Sequence, residues 1–210
     1  MNASSKRTGR PRRFDRDVAL RSAMETFWAH GYEGASMSLL TKAMNLSPAS
    51  LYAAFGSKES LYLEALRSYG GGPTLPACSA TSVYAQLEQS LRTAAARFTE
   101  RGHPPGCMML SGLLRGGAEA TSAAKATASV RRAHLATLAD RIDQAKTSGE
   151  LPPDADAEAL ARFYMAVLQG MSIQAIDGAT AADLQTIVDA ALAHWPGSSA
   201  RNRSDRSKSR

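Results

Sequence analysis

The sequence predicts an all-α protein, and three observations carry that prediction. Apolar residues recur at helical spacing in three segments between Phe14 and Leu66, and in four or five more between Ser82 and Trp195. Ala, Leu, Met, Arg, Glu and Gln, all good helix formers, dominate those segments. β-Branched and aromatic residues never alternate over a useful length, so no strand is expected. About nine helices are expected in all, divided between a small unit over 14–66 and a larger one over 67–196.

The first helix is expected over 15–31. Val18, Leu20, Ala23, Met24 and Phe27 form its apolar stripe, and Gly31 supplies a C-terminal stop. A second starts at Ser36 or Ser38, both suitable caps, carries Leu39, Leu40, Ala43 and Met44, and stops at Asn45. Ser47 then places a capping hydroxyl just before Pro48 at a first helical position, so a short third helix runs to Phe55. Gly56 and Ser57 end it and cap the next, in which Glu59 stands near the positive end of the helix dipole. Two short helices joined by a tight turn and braced by a longer one are the layout of a helix-turn-helix unit, which in many helical proteins serves packing only.

Further along, the Gly- and Pro-rich run over 70–76 breaks the composition and would serve as a connection. A long helix over 83–98 places Tyr84, Leu87, Leu91 and Phe98 near one side, and another helix starts at Cys107. The last two, over 156–176 and 181–194, carry wide apolar stripes.

Hydrophobic residues make up 44% and charged residues 21%, ordinary globular usage that excludes wholesale disorder and fibrous repeats. The uncharged stretch from Ser68 to Ala85 contains Gly70, Gly71, Gly72, Pro73 and Pro76 and is no spanning helix; the basic N-terminus precedes an amphipathic segment and does not read as a secretory signal. No membrane association and a cytoplasmic location are therefore expected, with Cys78 and Cys107 as reduced thiols. The net charge of +6 is unevenly spread. Lys6, Arg7, Arg10, Arg12 and Arg13 have no acid among them in an arm over 1–13, and a disordered tail over 197–210 carries five bases against Asp205. Basic ends on a slightly acidic body suggest a polyanion partner, although such tails also serve solubility alone.

The residues sharpen the helix-turn-helix reading. The run from Phe27-Trp28-Ala29-His30-Gly31-Tyr32 to Met37, followed by Leu46-Ser47-Pro48-Ala49-Ser50-Leu51-Tyr52-Ala53-Ala54-Phe55-Gly56-Ser57-Lys58-Glu59-Ser60-Leu61, resembles the DNA-binding domain of the tetracycline-repressor family. The match covers residues 14–66, and the resemblance implies a fourth helix over 57–69 that links two domains. It also implies a homodimeric repressor that binds double-stranded operator DNA and is relieved by a small molecule in the C-terminal domain.

Leu51 and Phe55, four apart, should anchor the short helix against Phe27, Leu40 and Met44. That turns Ser47, Pro48, Ala49, Ser50, Tyr52 and Ala53 toward DNA, where small residues permit close entry into the major groove. Ser50 offers a hydroxyl to base edges and Tyr52 one to phosphate or base, with a structural aromatic the competing role for Tyr52, and few side chains remain to specify an operator. Lys58 at a helix start and Ser38 are expected phosphate contacts, and Arg10, Arg12 and Arg13 flank Pro11 in an arm suited to the minor groove.

In the C-terminal unit, Gly106-Cys107-Met108-Met109-Leu110 looks like a cavity-lining segment of some family members. His103, Cys107, Met108, Met109, Phe163, Tyr164 and Met171 are the expected lining for an apolar or amphipathic effector, with core packing the competing role for each. Cys107 at a helix N-terminus would have its thiolate favoured by the dipole, which would suit a sensor. Leu160, Val167, Leu168, Leu184, Ile187, Val188 and Ala191 are the expected dimer contacts, with Ala161 and Gly170 allowing close approach. No cofactor or metal is expected, since the scattered His103, His134 and His194 have no ligand spacing. No nucleophile elbow or phosphate-binding glycine loop points to an enzyme. The other reading is a helical architectural DNA-binding protein without a ligand.

Overall fold

The computed structural model describes residues 14–69, 82–110 and 122–196, all of them helical or connecting, with no strand among them. Eight helices lie in that span: α1 (Arg16–Gly34), α2 (Met37–Met44), α3 (Pro48–Phe55), α4 (Lys58–Ser68), α5 (Val83–Thr99), α6 (Ser122–Thr147), α7 (Ala157–Ile176) and α8 (Ala181–Ala193). Helical residues also begin at 108, just after Cys107. The expected arm, the 70–76 break, Cys78 and the tail lie outside the described residues.

Local chemistry sets the helix ends. The Asp15 carboxylate accepts from the N–H groups of Asp17 and Val18, Ser36 caps α2 and Ser57 caps α4. Gly31 interrupts α1 with φ 70° and ψ 174°, a backbone state closed to most side chains, so the regular helix stops where the sequence places its stop and a last turn follows. Asn45 takes the left-handed conformation (φ 51°) and ends α2. Thr180 and Asp183 form a reciprocal capping box at α8.

α1 packs on α2 and α4, and α3 touches both α2 and α4. In the larger half α5 lies against α7 and α8, and α6 runs along α7. α4 reaches α6 and joins the halves, as the resemblance implies for the fourth helix. One buried cluster extends from Ala19 to Trp195. Three expected stripe residues depart from it: Val18 and Leu39 are 48% and 39% exposed and Ala43 is exposed too, because all three lie on the outward side of their helices.

Candidate nucleic-acid interface and effector cavity

The interface is built from the short helix α3. Ser47 Oγ accepts from the Ser50 N–H at 3.1 Å, and Pro48 fills the first helical position, where no N–H is needed. Leu51 (0% exposed) and Phe55 (5%) turn inward, into the cluster that holds Phe27, Leu40 and Met44. Burial of that pair fixes the opposite side outward. Ser47, Pro48, Ala49 and Ala53 are exposed, Ser50 is half-buried, and the Tyr52 ring is 49% exposed. The hydroxyls of Ser47 and Ser50 lie 2.9 Å apart, so one proton of the pair stays internal and Tyr52 presents the unengaged hydroxyl of this face. Ser38 is exposed in the first turn of α2.

Lys58 is half-buried with its ammonium 4.6 Å from the centre of the Tyr32 ring, and burial draws its pKa down. Arg16 is a brace that sequence reasoning missed. Its guanidinium grips both oxygens of Glu64, with Nη2 to Oε2 at 2.8 Å, and lies 4.6 Å from the centre of the Phe55 ring. The pair ties α1 to α4 over the end of α3, and 48 residues of sequence separation hide it from any local pattern. Arg10, Arg12 and Arg13 lie outside the described residues.

Behind this unit, two contacts lead into the larger half. The Trp28 ring stacks on His103 at 4.6 Å and meets Tyr69 edge-on at 5.1 Å. The Tyr62 hydroxyl lies 2.9 Å from Thr127 Oγ1, which donates to the Ala123 carbonyl at 2.8 Å, so Tyr62 is the donor. The loop behind Trp28 is pinned. Gly106 donates to Phe98 at 2.9 Å, Cys107 N–H donates to Ser172 Oγ at 2.8 Å, and a Cβ on Gly106 would stand 2.8 Å from the Ser172 carbonyl oxygen.

A cavity of about 100 Å³ lies among α5, α6, α7 and the segment after Cys107. Leu87, Leu91, Phe98, Leu110 and Leu138 give it an apolar wall, with Ser90, Arg131, His134, Thr137 and Gln169 among its polar members. Of the expected lining, Cys107, Met109 and Tyr164 are present. The others fall elsewhere: Met108 and Met171 are buried in the core, and Phe163 is 41% exposed on the outer side of α7. His103 instead borders an open groove beside α1, where its ring stacks on Trp28 and its Nδ1 lies 2.9 Å from the Pro104 carbonyl oxygen. Cys107 also departs from expectation. Burial pushes its thiol up, which outweighs the favourable backbone at the helix start and keeps it protonated.

The expected dimer contacts divide. Leu184, Val188 and Ala191 point into the protomer against α5 and α7, as does Ala161, so none meets a partner's surface. Leu168 lines the cavity, whereas Leu160, Val167 and Ile187 are half-buried, with Phe163 and Ile173 exposed nearby on α7. No helix among the described residues is long and apolar enough to cross a membrane, and no cluster of His, Cys, Asp or Glu among them is arranged to hold a metal ion.

With this geometry in place, comparison with known proteins is decisive. The family model for bacterial regulatory proteins of the tetR family matches residues 19–65, and that for the tetracyclin repressor-like C-terminal domain matches residues 84–191. The chain belongs to the TetR family of transcriptional regulators. It is 34% identical over 196 residues to the HTH-type transcriptional repressor ComR of Escherichia coli (strain K12), covering 91% of this chain and 93% of the relative. Among solved structures, a cysteine mutant of the TetR family regulator CifR complexed with 26-bp double-strand operator DNA superposes with a TM-score of 0.82 at 40% identity, over 90% of this chain and 100% of that one. A TetR regulator from Rhodococcus sp. RHA1 gives 0.58 at 36% identity over 87% of this chain and 99% of that one.

Proposed function

We propose that this TetR-family regulator is a one-component, cytoplasmic repressor without catalytic activity, in which two copies read a near-palindromic operator and a small molecule in the cavity releases them. Residues 14–66 form the DNA-binding domain, residues 67–196 the effector and dimerisation domain, and the basic ends over 1–13 and 197–210 add sequence-independent attraction. The observation that carries the reading is α3 itself: Leu51 and Phe55 clamp it inward while Tyr52, Ser50 and the small residues Ala49 and Ala53 stand outward. A helix with that division enters a major groove without steric cost and leaves its polar groups at base edges. Ser38 and Lys58 flank it as phosphate contacts, and Arg10, Arg12 and Arg13 follow the minor groove. The apolar outer side of α7, with Leu160, Phe163, Val167 and Ile173 and the half-buried Ile187 of α8, supports pairing of two copies. Coupling between cavity and DNA runs through Trp28 with His103 and Tyr62 with Thr127.

Fluorescence anisotropy on the DNA immediately upstream of its own gene, against scrambled DNA of equal length over a salt series, tests this. Wild type should prefer the upstream duplex, and Tyr52→Ala should lose that preference at nearly the same salt slope. Equal binding of both duplexes by wild type would refute sequence reading, and a monomer mass at micromolar concentration would refute pairing.

A further inference from the structure

The cavity carries more information than its apolar wall. Arg131 is half-buried at its edge, and one Nη donates to the Met109 carbonyl at 3.0 Å. Among the described residues no carboxylate pairs with the guanidinium, and burial draws its pKa down, opposed in part by Tyr62 and Cys107, while it stays charged. Ser90 is a second unsatisfied group: it is 7% exposed, and its Oγ has no hydrogen-bond partner among the described residues. A half-buried cation without an anion and a buried hydroxyl without a partner both cost stability unless something else completes them. Their shared cavity is the place where one molecule meets both.

The way in has the same sign. Arg131, Met165 and Gln169 belong both to the cavity and to an open groove between α6 and α7, whose other walls include Arg132 and Arg162. Arg162 is taken up by Glu158, which leaves Arg131 and Arg132 to set the charge of the mouth. A cation would be repelled there, and a neutral molecule would leave Arg131 as it is. As for size, an engineered protein cavity of about 150 Å³ takes benzene, so about 100 Å³ holds a chain of about four carbons.

We propose that the cavity binds a small amphipathic monocarboxylate, its carboxylate shared between Arg131 and the Ser90 hydroxyl and its tail among Leu87, Leu91, Phe98 and Leu138. This rests on the cavity being the effector site. Arg131 selects the charge and the leucine and phenylalanine wall selects the tail.

Isothermal titration of the full chain with pentanoate, pentanamide and pentylamine tests it, since the three differ in head group and share a short tail. Pentanoate should bind about ten-fold or more tightly than pentanamide, because a carboxylate offers the guanidinium an opposite charge and two accepting oxygens where the amide offers one neutral oxygen, and pentylamine should give no heat. Arg131→Gln should abolish the preference for pentanoate, whereas Arg131→Lys, which keeps the charge, should retain it; equal melting temperatures of the two variants exclude misfolding as the cause. Ser90→Ala should weaken pentanoate and keep the preference. Equal binding of pentanoate and pentanamide by wild type, an unchanged preference in Arg131→Gln, or no binding of any of the three would overturn the proposal. Pentanoate binding that leaves affinity for the upstream DNA unchanged would support the proposal and contradict ligand relief. Release of DNA by pentanamide as readily as by pentanoate would do the reverse.

Discussion

The two halves of the molecule differ most in their interiors. Around α1 to α4 the buried residues are aromatic or aliphatic, with Thr26 the one buried polar side chain among those described, and its hydroxyl is satisfied by the Ser22 carbonyl at 2.7 Å. Around α5 to α8, Gln86, Ser90, Thr127 and Ser172 are all buried, and a cavity separates part of the packing. Both halves cap their helices well, so helix formation does not distinguish them. A closed apolar core suits a unit that must hold one surface in a fixed shape, and a core with polar groups around a void suits one that accepts a guest and shifts on doing so.

The strongest challenge to that contrast is truncation of each core. Leu51→Ala should cost about 2–5 kcal/mol and abolish DNA binding, while Leu168→Ala, half-buried at the cavity wall, should cost clearly less; denaturant melts of both variants check this. Next comes Gly106→Ala. A Cβ there meets the Ser172 carbonyl oxygen at 2.8 Å and Ile176 Cγ1 at 2.9 Å with φ at +78°, so a loss of about 1–3 kcal/mol is expected. Gly170→Ala, in open space within α7, should instead gain about 0.5–1 kcal/mol in a protein dilute enough to be monomeric. If the same change weakens the dimer in sedimentation, Gly170 lies at the pairing surface.

Alkaline titration sharpens the comparison at the join. Burial raises Tyr62 and Tyr69, and raises Tyr164 to about 12. A phenol whose folded value lies above its unfolded value of 10.0 keeps the folded state protonated while the unfolded chain ionises. Stability is therefore intact below about pH 10 and falls as pH rises toward 12, and melting temperatures across that window should decline less steeply in Tyr164→Phe than in wild type. Removing the cap in Ser47→Ala should cost about 1 kcal/mol and loosen α3. Smallest is Arg16→Gln, within about 1 kcal/mol because the Arg16–Glu64 pair is substantially exposed. Arg16 holds Glu64 below the usual carboxylate range, so this small contribution is present at neutral pH and fades as pH falls through the folded value.

The legible parts of the sequence are those whose cause lies within four residues. Asp15, Asn45, Ser47 with Pro48, and Gly56 with Ser57 each mark a boundary by a cap or a turn where the sequence places it, whereas Gly31 marks a kink and α1 runs on to Gly34. The later helices 156–176 and 181–194 are equally local in origin, capped at Asp156 and Thr180. Orientation is not local. The stripe Leu184, Val188, Ala191 is apolar whether it faces α5 or a partner, and only tertiary packing places it inward. The sequence sets no bounds for α6, whose Ala-rich, repeatedly charged run lacks a clean apolar stripe, and nothing local marks Arg131 and His134 on it as bordering the cavity. The same holds for His103 and Phe163: residue type suggests a pocket, but the stack on Trp28 and the rotation of α7 decide where each side chain goes.

The central claim is that the outward face of α3 and the cavity behind α5 belong to one coupled body, and linkage makes this testable without an effector. Hydrogen–deuterium exchange of the full chain, free and bound to the upstream duplex, reads both regions at once. Coupling through Trp28 with His103 and Tyr62 with Thr127 predicts altered exchange over 36–58 together with 100–107 and the cavity-lining stretches 87–98 and 131–138. A change confined to 36–58, with the cavity-lining stretches unmoved, would contradict it.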